Sequence, residues 1–342
     1  MRIVVDINHP AHVHYFKNFI WGMQKKGHEI LITASEKEIS YRLLDNYGFS
    51  YQKLGSYKTS LAKKILNIPV LDYRMLLSVR KFRPDLFLGF GSIRGAHVSR
   101  LLRTHCIALD DTEHAKWEHL LYVPYTDAIL TPACFKKNLG KKQIRYDGYT
   151  ELAYLHPNHF KPNPAIPHEI GIDSDDPYCI LRFVSWNAGH DIGHKGIENK
   201  ADLISNIEKY ARVFISSEGS LSGPLKKYEL KIAPEKMHDL LYYASLYLGE
   251  SGTMATEASL LGTPSILINS LAKYCGTHNQ LMKDYQLQYF YDNEKDSIDL
   301  LPKLINNKIK KEWQKKRDIM LREKIDVTAF IVNFIENWGE CH

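Results

Sequence analysis

Short apolar runs alternate with segments of helical periodicity along most of this chain. In the first half, runs rich in Val, Ile, Leu and Phe predict strands, while His14–Lys26 and Ile39–Tyr47 repeat apolar residues at helical spacing. The predicted strands of this half are Ile3–Ile7, Glu29–Thr33, a short run near Tyr51, Leu86–Phe90, Cys106–Leu109, Ala128–Thr131 and Ile144–Tyr146. Strand and helix in regular turn are typical of βαβ units, whose parallel sheet is covered on both faces.

The alternation is interrupted once and then returns. Residues 154–177 carry recurrent prolines and little apolar periodicity, which is typical of a linker between domains. Beyond them, Lys308–Trp338 has helical periodicity, and strands are predicted at Tyr178–Val184, Ala211–Ser216, Glu229–Ile232, Ser245–Leu248, Ser265–Ile268 and Gln288–Tyr291.

The length of 342 residues exceeds the usual size of one hydrophobic core, so two domains are expected. The sequence predicts an α/β protein with two Rossmann-like, doubly wound parallel-sheet domains at 1–153 and 178–310, facing across a cleft. The linker is 154–177, and C-terminal helices in 311–342 cross back to the first domain. Ligands of such sheets bind beyond the carboxyl ends of the strands, so the site is expected in the cleft.

One motif in the second half has the layout of an anion site. The predicted strand ending at Leu248 is followed by Gly249, a polar turn over Glu250–Thr253, and a helix from about Met254. The first N–H groups of that helix have no intrahelical partner and lie at the positive end of its dipole, so Ser251, Gly252 and Thr253 are candidates to bind a diphosphate. Glu257, about one turn into the helix, is a candidate acceptor for ribose hydroxyls. The alternative is that Ser251 or Thr253 only caps the helix.

Other polar loops of the second half follow predicted strands at the same level. Arg182 is a candidate phosphate ligand, because a guanidinium binds phosphate oxygens in a bidentate manner. Ser216 is a candidate contact to the base or phosphate, and the amides of Asn279 and Gln280 suit sugar hydroxyls. Further candidates, each with a solvent-exposed loop as its alternative, are His190, Asp191 and His194, and the loop at Met237–Asp239 is a candidate frame for a nucleobase.

Two loops of the first half carry candidate acid–base groups. After the first strand, Asp6–His14 (DINHPAHVH) places His9 or His12 where an imidazole could act as a base. A metal site at the three histidines is disfavoured, because no carboxylate or cysteine partner is specified. After the strand that ends at Leu109, the candidates are Asp110, Asp111, Glu113 and His114. The alternative for this second loop is an ordinary helix cap.

Composition narrows the class of protein. Hydrophobic residues make up 44% and charged residues 25%, which are ordinary globular values. The five cysteines are odd in number and form no C-x-x-C pair, which argues against a disulfide framework or a structural zinc site. The chain opens on a strand and shows no signal peptide, and no apolar run approaches the roughly 18 residues of a membrane span. These features predict a cytoplasmic protein whose membrane contact, if it has any, is peripheral.

The net charge of +6 is unevenly distributed. Lys308–Lys324 is basic and is interpreted as a solvated helix face. Leu61–Arg83 interleaves basic residues with apolar ones, and two interpretations stay open for it. It is either a core helix with a charged rim or a surface that docks on an anionic membrane leaflet.

These features together resemble the GT-B superfamily, which includes nucleotide-sugar glycosyltransferases and UDP-N-acetylglucosamine 2-epimerases. The resemblance rests on the turn Gly249–Glu257, the Pro-rich linker and the C-terminal helices. More closely, Asp6–His12 and Asp110–His114 look like an archaeal and bacterial family known as domain of unknown function 354. The resemblance covers essentially the whole chain.

The resemblance also implies roles for particular residues. Ser251, Gly252 and Thr253 would hold the phosphates, Glu257 the ribose and Arg182 a phosphate. His12 would match a histidine in the first loop of the lipid-linked N-acetylglucosaminyltransferase of peptidoglycan synthesis. The epimerases carry Ser-Gly-Gly followed by paired glutamates, whereas here the turn is Ser-Gly-Thr and Thr256 precedes Glu257. This difference favours a transferase.

The expected function is therefore metal-independent transfer of a sugar from a nucleotide donor, UDP-linked, to a cell-envelope or surface-polysaccharide acceptor. The nucleotide sugar is a substrate, and no cofactor, metal or nucleic-acid partner is expected. The acceptor would be a glycan or a lipid-linked molecule, and 61–83 would give peripheral contact with the inner leaflet. The alternatives are a UDP-sugar 2-epimerase that uses Asp110 and Glu113, or a non-catalytic subunit that binds a sugar nucleotide or glycan.

Overall fold

The computed structural model describes residues 1–37, 39–56, 61–173, 176–184, 196–217 and 219–341, and for 56, 61–66, 307 and 341 it describes the backbone only. The strands are β1 Arg2–Ile7, β2 Glu29–Glu36, β3 Tyr51–Ser56, β4 Leu86–Phe90, β5 His105–Leu109, β6 Ala128–Pro132, β7 Gln143–Tyr146, β8 Tyr178–Phe183, β9 Arg212–Ser217, β10 Leu246–Gly249, β11 Ser265–Ile268 and β12 Gln288–Tyr291. The α-helices are α1 Pro10–Lys25, α2 Ser40–Asn46, α3 Leu61–Val79, α4 Ile93–Leu102, α5 Lys116–Tyr122, α6 Leu152–Leu155, α7 Lys200–Ile207, α8 Met237–Tyr243, α9 Gly252–Leu260, α10 Gly276–Lys283, α11 Leu301–Leu304, α12 Asn307–Glu323 and α13 Val327–Cys341.

The chain divides into two compact units. Unit 1 consists of Met1–His159 and Ile325–His342, and unit 2 is Phe160–Lys324. The C-terminal stretch therefore contributes to both units, with α12 in unit 2 and α13 in unit 1. Its two helices are separated because Asp326 accepts a hydrogen bond from the N–H of Ala329 and so caps the start of α13.

Unit 1 is built on a seven-stranded parallel sheet of order β3-β2-β1-β4-β5-β6-β7. The strand order reverses between β1 and β4, and such a switch point is where open α/β sheets bind ligands. The register pairs Asp6 of β1 with Thr33 of β2 and with Gly89 of β4. Polar side chains at the carboxyl ends of these strands therefore lie at one level.

Unit 2 contains a five-stranded parallel sheet of order β12-β11-β10-β8-β9. Its switch point lies between β8 and β10, and Arg182 pairs there with Gly249 on one side and Ser216 on the other. The strand cores are apolar runs, and Ile180, Leu181 and Leu248 are fully buried because helices cover both faces of a parallel sheet.

Two predicted elements differ from the structure. The helix predicted to begin at His14 begins at Pro10, because His9 accepts a hydrogen bond from the N–H of Ala11 and Pro10 suits the first helical turn. His12 and His14 therefore lie in the helix. The strand predicted at Glu229–Ile232 is wrong, since only one bridge joins Glu229 to Ile215 of β9. This segment is not buried and lies between two short 3-10 helices, the second of which starts at Pro234.

Among the described residues, no helix has both the length and the apolar character needed to cross a membrane.

Candidate functional site

Three hydrogen bonds hold the turn between β10 and α9 in place. Ser251 caps α9, since its hydroxyl accepts a bond of 3.4 Å from the N–H of Met254. The hydroxyl of the buried Tyr247 donates to the carbonyl of Ser251 at 3.1 Å, and the N–H of Glu250 donates to the carbonyl of Arg182 at 3.0 Å. The start of α9 at Gly252 therefore lies beside the end of β8.

Gly249 lets β8 and β10 approach closely at this level. A Cβ placed on Gly249 would lie 2.7 Å from the carbonyl oxygen and 2.8 Å from the Cβ of Arg182. Arg182 in turn donates from Nη1 to the hydroxyl of Ser216 at 2.9 Å. The switch point thus brings together Arg182, Ser216 and the N-terminus of α9, where an anion would be stabilised by N–H dipoles and a guanidinium.

Alanine at Gly249 is expected to destabilise unit 2 by about 1–3 kcal/mol, because backbone and Cβ atoms cannot rotate away from the added methyl group. Urea unfolding of the Gly249→Ala variant would measure this. Gly219→Ala is the matched control, since a Cβ there meets no heavy atom within 4 Å. Equal stabilities of the two variants would contradict the close approach.

Glu250 is buried and binds two separate backbone segments. Its Oε2 accepts from the N–H of Val184 at 2.8 Å, and its Oε1 accepts from the N–H of Ile197 at 2.6 Å. It therefore ties the end of β8 to the chain that leads into α7. The sequence analysis did not single it out, although a glutamate directly after a buried strand run was an available signal.

Glu257 lies in α9, 5% exposed, and is bound by a neighbouring helix. His238 of α8 lies 2.9 Å from Oε1 of Glu257 through Nε2, and both side chains are buried. His238 fixes the orientation of the carboxylate. Met237–Asp239, expected to be a loop, is therefore the start of α8, and its His238 holds Glu257.

The start of α10 also approaches this turn. His278 lies 2.9 Å from Oε1 of Gln288 through Nδ1, and its Nε2 would be 3.0 Å from a Cβ on Gly252. His278 therefore adds an imidazole to the N-terminus of α9. The residues predicted from the sequence to bind sugar hydroxyls were its neighbours Asn279 and Gln280.

Asn279 has a local structural role in this region. Its amide donates to the carbonyls of Lys273 at 2.9 Å and of Cys275 at 2.7 Å, which holds the turn before α10. These bonds occupy the amide donors that were expected to bind sugar hydroxyls. Gln280 is partly exposed in the next turn of the helix.

In unit 1, a buried ion pair lies at the switch point. Arg94 donates from Nη2 to Oδ1 of Asp6 at 2.6 Å, and the hydroxyls of Thr33 and Ser92 donate to the same carboxylate at 2.7 and 2.5 Å. Arg94 also donates to the hydroxyl of Ser35 at 2.6 Å. Arg94 was not among the residues predicted from the sequence, and the available signal was the charged Asp6 at the end of an apolar strand.

His12 lies near this ion pair and is held as a neutral ring. Its pKa is lowered from 6.5 to about 3 by burial and by the charge of Lys37, and Nδ1 accepts a hydrogen bond of 3.3 Å from the N–H of Asn8. The ring proton therefore resides on Nε2, so His12 offers a hydrogen-bond donor. A base with so low a pKa is weak at neutral pH. His9 serves as the cap of α1 through Nδ1.

Asp110, at the end of β5, is surrounded by donors. Oδ1 accepts from the N–H of Thr112 at 2.8 Å, while Oδ2 is bound by His119 at 2.8 Å and by the hydroxyl of Tyr122. Asp110 is 4% exposed and His119 is 5% exposed. These contacts make Asp110 a fixed carboxylate with little capacity to receive another proton donor.

Asp111 is the carboxyl whose environment suits a base. Burial raises its pKa from 3.8 to about 7, and the charges of Asp110 and Glu113 act in the same direction against hydrogen bonds from Thr112 and Thr150. A carboxyl that titrates near neutral pH can accept a proton from a substrate. Glu113 accepts from the N–H of Lys136 at 3.2 Å, and His114 is partly exposed in the same loop.

Most of the predicted residues therefore lie at the carboxyl edge of one sheet or the other. Unit 2 groups Arg182, Ser216, Ser251–Thr253 and Glu257 at one switch point. Unit 1 places the α1 histidines and the Asp110–His114 loop at one edge of its sheet, where the ring of Phe90 lies 5.0 Å from that of His12. His190, Asp191 and His194 lie outside the described residues. No group of three or more His, Cys, Asp or Glu side chains in the described parts of the chain could hold a metal ion.

The chain belongs to the family described as a protein of unknown function (DUF354), which matches residues 1–339. A curated relative, an uncharacterized protein of Methanocaldococcus jannaschii (MJ0665), is 24% identical over 279 residues, covering 78% of this chain and 81% of the relative. The resemblance to this family, expected from Asp6–His12 and Asp110–His114, is confirmed.

Solved structures resemble the whole chain at low sequence identity. The UDP-GlcNAc 2-epimerase of Neisseria meningitidis, bound to UDP-GlcNAc, has a TM-score of 0.69 at 13% identity, with 98% of this chain and 100% of that chain covered. The spinosyn forosaminyltransferase SpnP has a TM-score of 0.67 at 14% identity, with 99% of each chain covered. The fold is therefore that of the GT-B superfamily, as the sequence predicted.

Proposed function

We propose that this protein is a glycosyltransferase that moves a sugar from a nucleotide donor, UDP-linked, to a cell-envelope or surface-polysaccharide acceptor without a metal ion. Unit 2 would bind the nucleotide, and unit 1 would supply the acceptor side and the base. The fold and the structural neighbours support the more general conclusion that this is a GT-B protein whose function involves sugar nucleotides.

The observation that carries the proposal is the switch point of unit 2. Arg182 and the N-terminus of α9 adjoin there through the pairing of Arg182 with Gly249, and Glu257 lies about one turn further along α9. A diphosphate at the helix N-terminus would have its developing charge stabilised by N–H groups and a guanidinium during sugar transfer. Glu257, oriented by His238, would accept the ribose hydroxyls.

In unit 1, the proposal assigns the base to Asp111. Its pKa of about 7 lets it take the proton of an acceptor hydroxyl as that oxygen attacks the anomeric carbon. His12 would donate from Nε2 to a substrate oxygen. This arrangement retains the sequence-predicted loops and changes which side chain receives the proton.

An epimerase is the second candidate, favoured by the adjacent carboxyls Asp110 and Asp111. Epimerisation at a carbon needs one group to remove a proton and another to return it. The Neisseria neighbour is a 2-epimerase bound to UDP-GlcNAc. The three donors that already bind Asp110 leave it poorly placed for such exchange, which favours the transferase.

The experiment that separates these functions is proton NMR of the purified protein with UDP-N-acetylglucosamine and a panel of other nucleotide sugars, first without acceptor. Broadened donor lines without conversion are expected of the transferase, and adding polyprenyl-phosphate-linked saccharides should then release free nucleotide. New sugar signals without acceptor would indicate an epimerase or a hydrolase. Binding without turnover under every condition would favour a binding subunit, and absence of binding would contradict the donor site.

The proposal includes peripheral contact with a membrane through one helical layer of unit 1. The inward faces of α3, α4 and α5 pack on one face of the sheet in a common core that includes Met75, Val98 and Tyr122. His97 of α4 links the three helices, since it contacts Asp72 of α3 at 2.8 Å and the carbonyl of Leu121 of α5 at 3.0 Å. The outward faces of these helices therefore share one side of unit 1.

That side carries large exposed apolar side chains, which we name the helical patch. Trp117 is 67% exposed, and the complete set is Val70, Tyr73, Leu77, Leu101, Trp117 and Leu120. Exposed cations on or next to the same helices are Arg74, Arg80, Lys81, Arg83, Arg100, Arg103 and Lys116; Arg100 pairs with Asp127, and Glu118 is an exposed acid on α5. Apolar side chains among cations match the surface of an anionic bilayer, where they enter the interface beside the headgroups.

Polar substitution of the helical patch is expected to reduce membrane binding. Trp117→Ser with Leu120→Ser should lower partitioning onto phosphatidylcholine vesicles containing phosphatidylglycerol by at least about tenfold, because two large apolar side chains no longer enter the interface. Vesicle co-sedimentation measures this. The matched control is Tyr210→Ser with Ile319→Ser, two exposed apolar residues of unit 2. Equal binding of both variants, or no binding by the unmodified protein, would contradict membrane docking.

A further inference from the structure

A chain of hydrogen bonds connects Lys137 and His119, which lie outside the predicted motifs, to Asp110. Nζ of Lys137 lies 2.6 Å from Nδ1 of His119, and Nε2 of His119 lies 2.8 Å from Oδ2 of Asp110. A lysine ammonium has only donors, so Nδ1 must accept and the ring proton must reside on Nε2. Lys137 thereby fixes the tautomer in which His119 donates to Asp110.

The backbone of Lys137 is itself held in place by two side chains of β7. The carbonyl of Lys137 accepts from Arg145 at 3.0 Å and from Gln143 at 3.2 Å, both side chains of β7. The loop after β6, the helix α5 and the end of β5 therefore converge on one carboxylate. The hydrogen bond between His119 and Asp110 would be enough to join α5 to the end of β5. The contact with the Lys137 ammonium adds the fixed tautomer of His119.

Other contacts around Asp110 act in the same sense. The hydroxyl of Tyr122 donates to Oδ2, and the pKa of Tyr122 is raised by burial and by the charge of Asp110, so this hydroxyl keeps its proton. The N–H of Thr112 donates to Oδ1 at 2.8 Å. With donors on both oxygens, the Asp110 carboxylate is held in one position directly beside Asp111.

We infer that His119 and Lys137 are positioning residues, which hold the Asp110 carboxylate so that it acts on the adjacent Asp111 from a fixed position. This inference rests on the proposed function for its catalytic meaning, since Asp111 is the base assigned there. The other titratable groups around Asp111 are Glu113 of the same loop and Tyr146 of β7, whose hydroxyl lies 3.2 Å from that of Thr150. None of them is connected to Lys137 by the bonds described here.

Two substitutions should lower the pKa of Asp111 by different amounts. Asp110→Asn removes the neighbouring negative charge, so the pKa of Asp111 should fall by about one unit or more. His119→Leu removes a donor that holds the Asp110 carboxylate in place, so the charge of Asp110 acts less strongly on Asp111, and the pKa of Asp111 should also fall, by less than in Asp110→Asn. His119→Gln should restore behaviour close to the original, because its amide can donate to Oδ2.

The direct test is carbon NMR of protein labelled with ¹³C-aspartate, titrated over pH, with the Asp111 signal assigned by its loss in Asp111→Asn. His105→Leu is the matched control, a histidine on β5 that lies 3.6 Å from Asp127. A fall in the pKa of Asp111 in both variants, larger in Asp110→Asn than in His119→Leu, is expected, with Asp111 unmoved in the control. An Asp111 pKa that rises or stays unchanged in His119→Leu would overturn the inference.

This readout separates the inference from the proposed function. If the protein transfers no sugar, the NMR shifts of Asp111 still stand, whereas the catalytic assignment of Asp111 fails. If sugar is transferred, the acidic limb of the rate profile should move with the NMR titration in each variant. A variant that lowers the rate at all pH values without moving the limb would show a structural role only and would contradict the inference.

Discussion

Asparagine in place of Asp111 is expected to lower the proposed rate of sugar transfer by about 10²–10⁴-fold, the range expected when a general base is removed. Donor binding should be unchanged, because the proposed nucleotide contacts lie in unit 2 at Arg182, the α9 N-terminus and Glu257. Nucleotide release in the presence of acceptor gives the rate, and calorimetric titration with UDP gives the binding. An Asp111→Asn variant with the original rate would remove Asp111 as the base.

The unmodified protein should show a matching dependence of rate on pH. A base acts in its deprotonated form, so kcat/KM should fall about tenfold per unit as pH drops below the Asp111 pKa of about 7. The His12 ring, with a pKa of about 3, stays neutral over this range and contributes no limb. The assignment would be contradicted by a rate that stays flat between about pH 5 and about pH 8, on either side of the Asp111 pKa of about 7.

The same carboxyl predicts an effect on stability that needs no substrate. Folding raises the pKa of Asp111 from 3.8 to about 7, so between these values the folded chain holds a proton that the unfolded chain has released. Stability contributed by Asp111 is therefore present at low pH and is lost as pH rises from about 4 to about 7. Asp111→Asn should raise Tm by about 2–4 °C at pH 8, and the difference should vanish near pH 4. An unchanged or lower Tm at pH 8 would contradict the perturbed pKa.

The sequence predicted the fold because the strand pattern is strongly periodic. Leu86–Phe90 and Ser265–Ile268 have the predicted bounds, since a run buried on both faces contrasts sharply with its polar flanks, and the edge strand Gln288–Tyr291 also has them. Glu229–Ile232 failed because its alternation has strand character, yet only one residue bridges to the edge strand β9. Local pattern does not report whether a neighbouring strand is there to pair with.

The candidate site was partly predictable for a related reason. Residues that act through a local turn, such as Ser251 and Glu257, can be located from their position after a strand. His278, Arg94 and the His119–Lys137 pair depend on packing between distant segments, which no spacing in the chain reveals. The distinction between Asp110 and Asp111 is also tertiary, because it arises from the donors that α5 and the loop after β6 bring to one carboxylate and not to its neighbour.

The second large effect is expected at Glu257. Its carboxylate is proposed to accept hydrogen bonds from the ribose, and bonds to a charged acceptor contribute more than bonds to a neutral one. Glu257→Gln should therefore weaken UDP binding about ten- to hundredfold, measured by calorimetric titration. Glu312→Gln on α12, an exposed glutamate that pairs with Lys316, is the matched control.

Comparison with 2′-deoxy-UDP isolates the ribose contact from any loss of folding. The unmodified protein should prefer UDP over 2′-deoxy-UDP by about tenfold, the expected effect of one hydrogen bond to a carboxylate. Glu257→Gln should lose most of that preference, because the two substitutions remove the same contact and their effects are not additive. His238→Asn should keep part of the preference, since His238 only orients Glu257 through the 2.9 Å contact. If Glu257→Gln discriminates between the two nucleotides as well as the unmodified protein does, Glu257 does not contact the ribose, and the donor site must be placed elsewhere in unit 2.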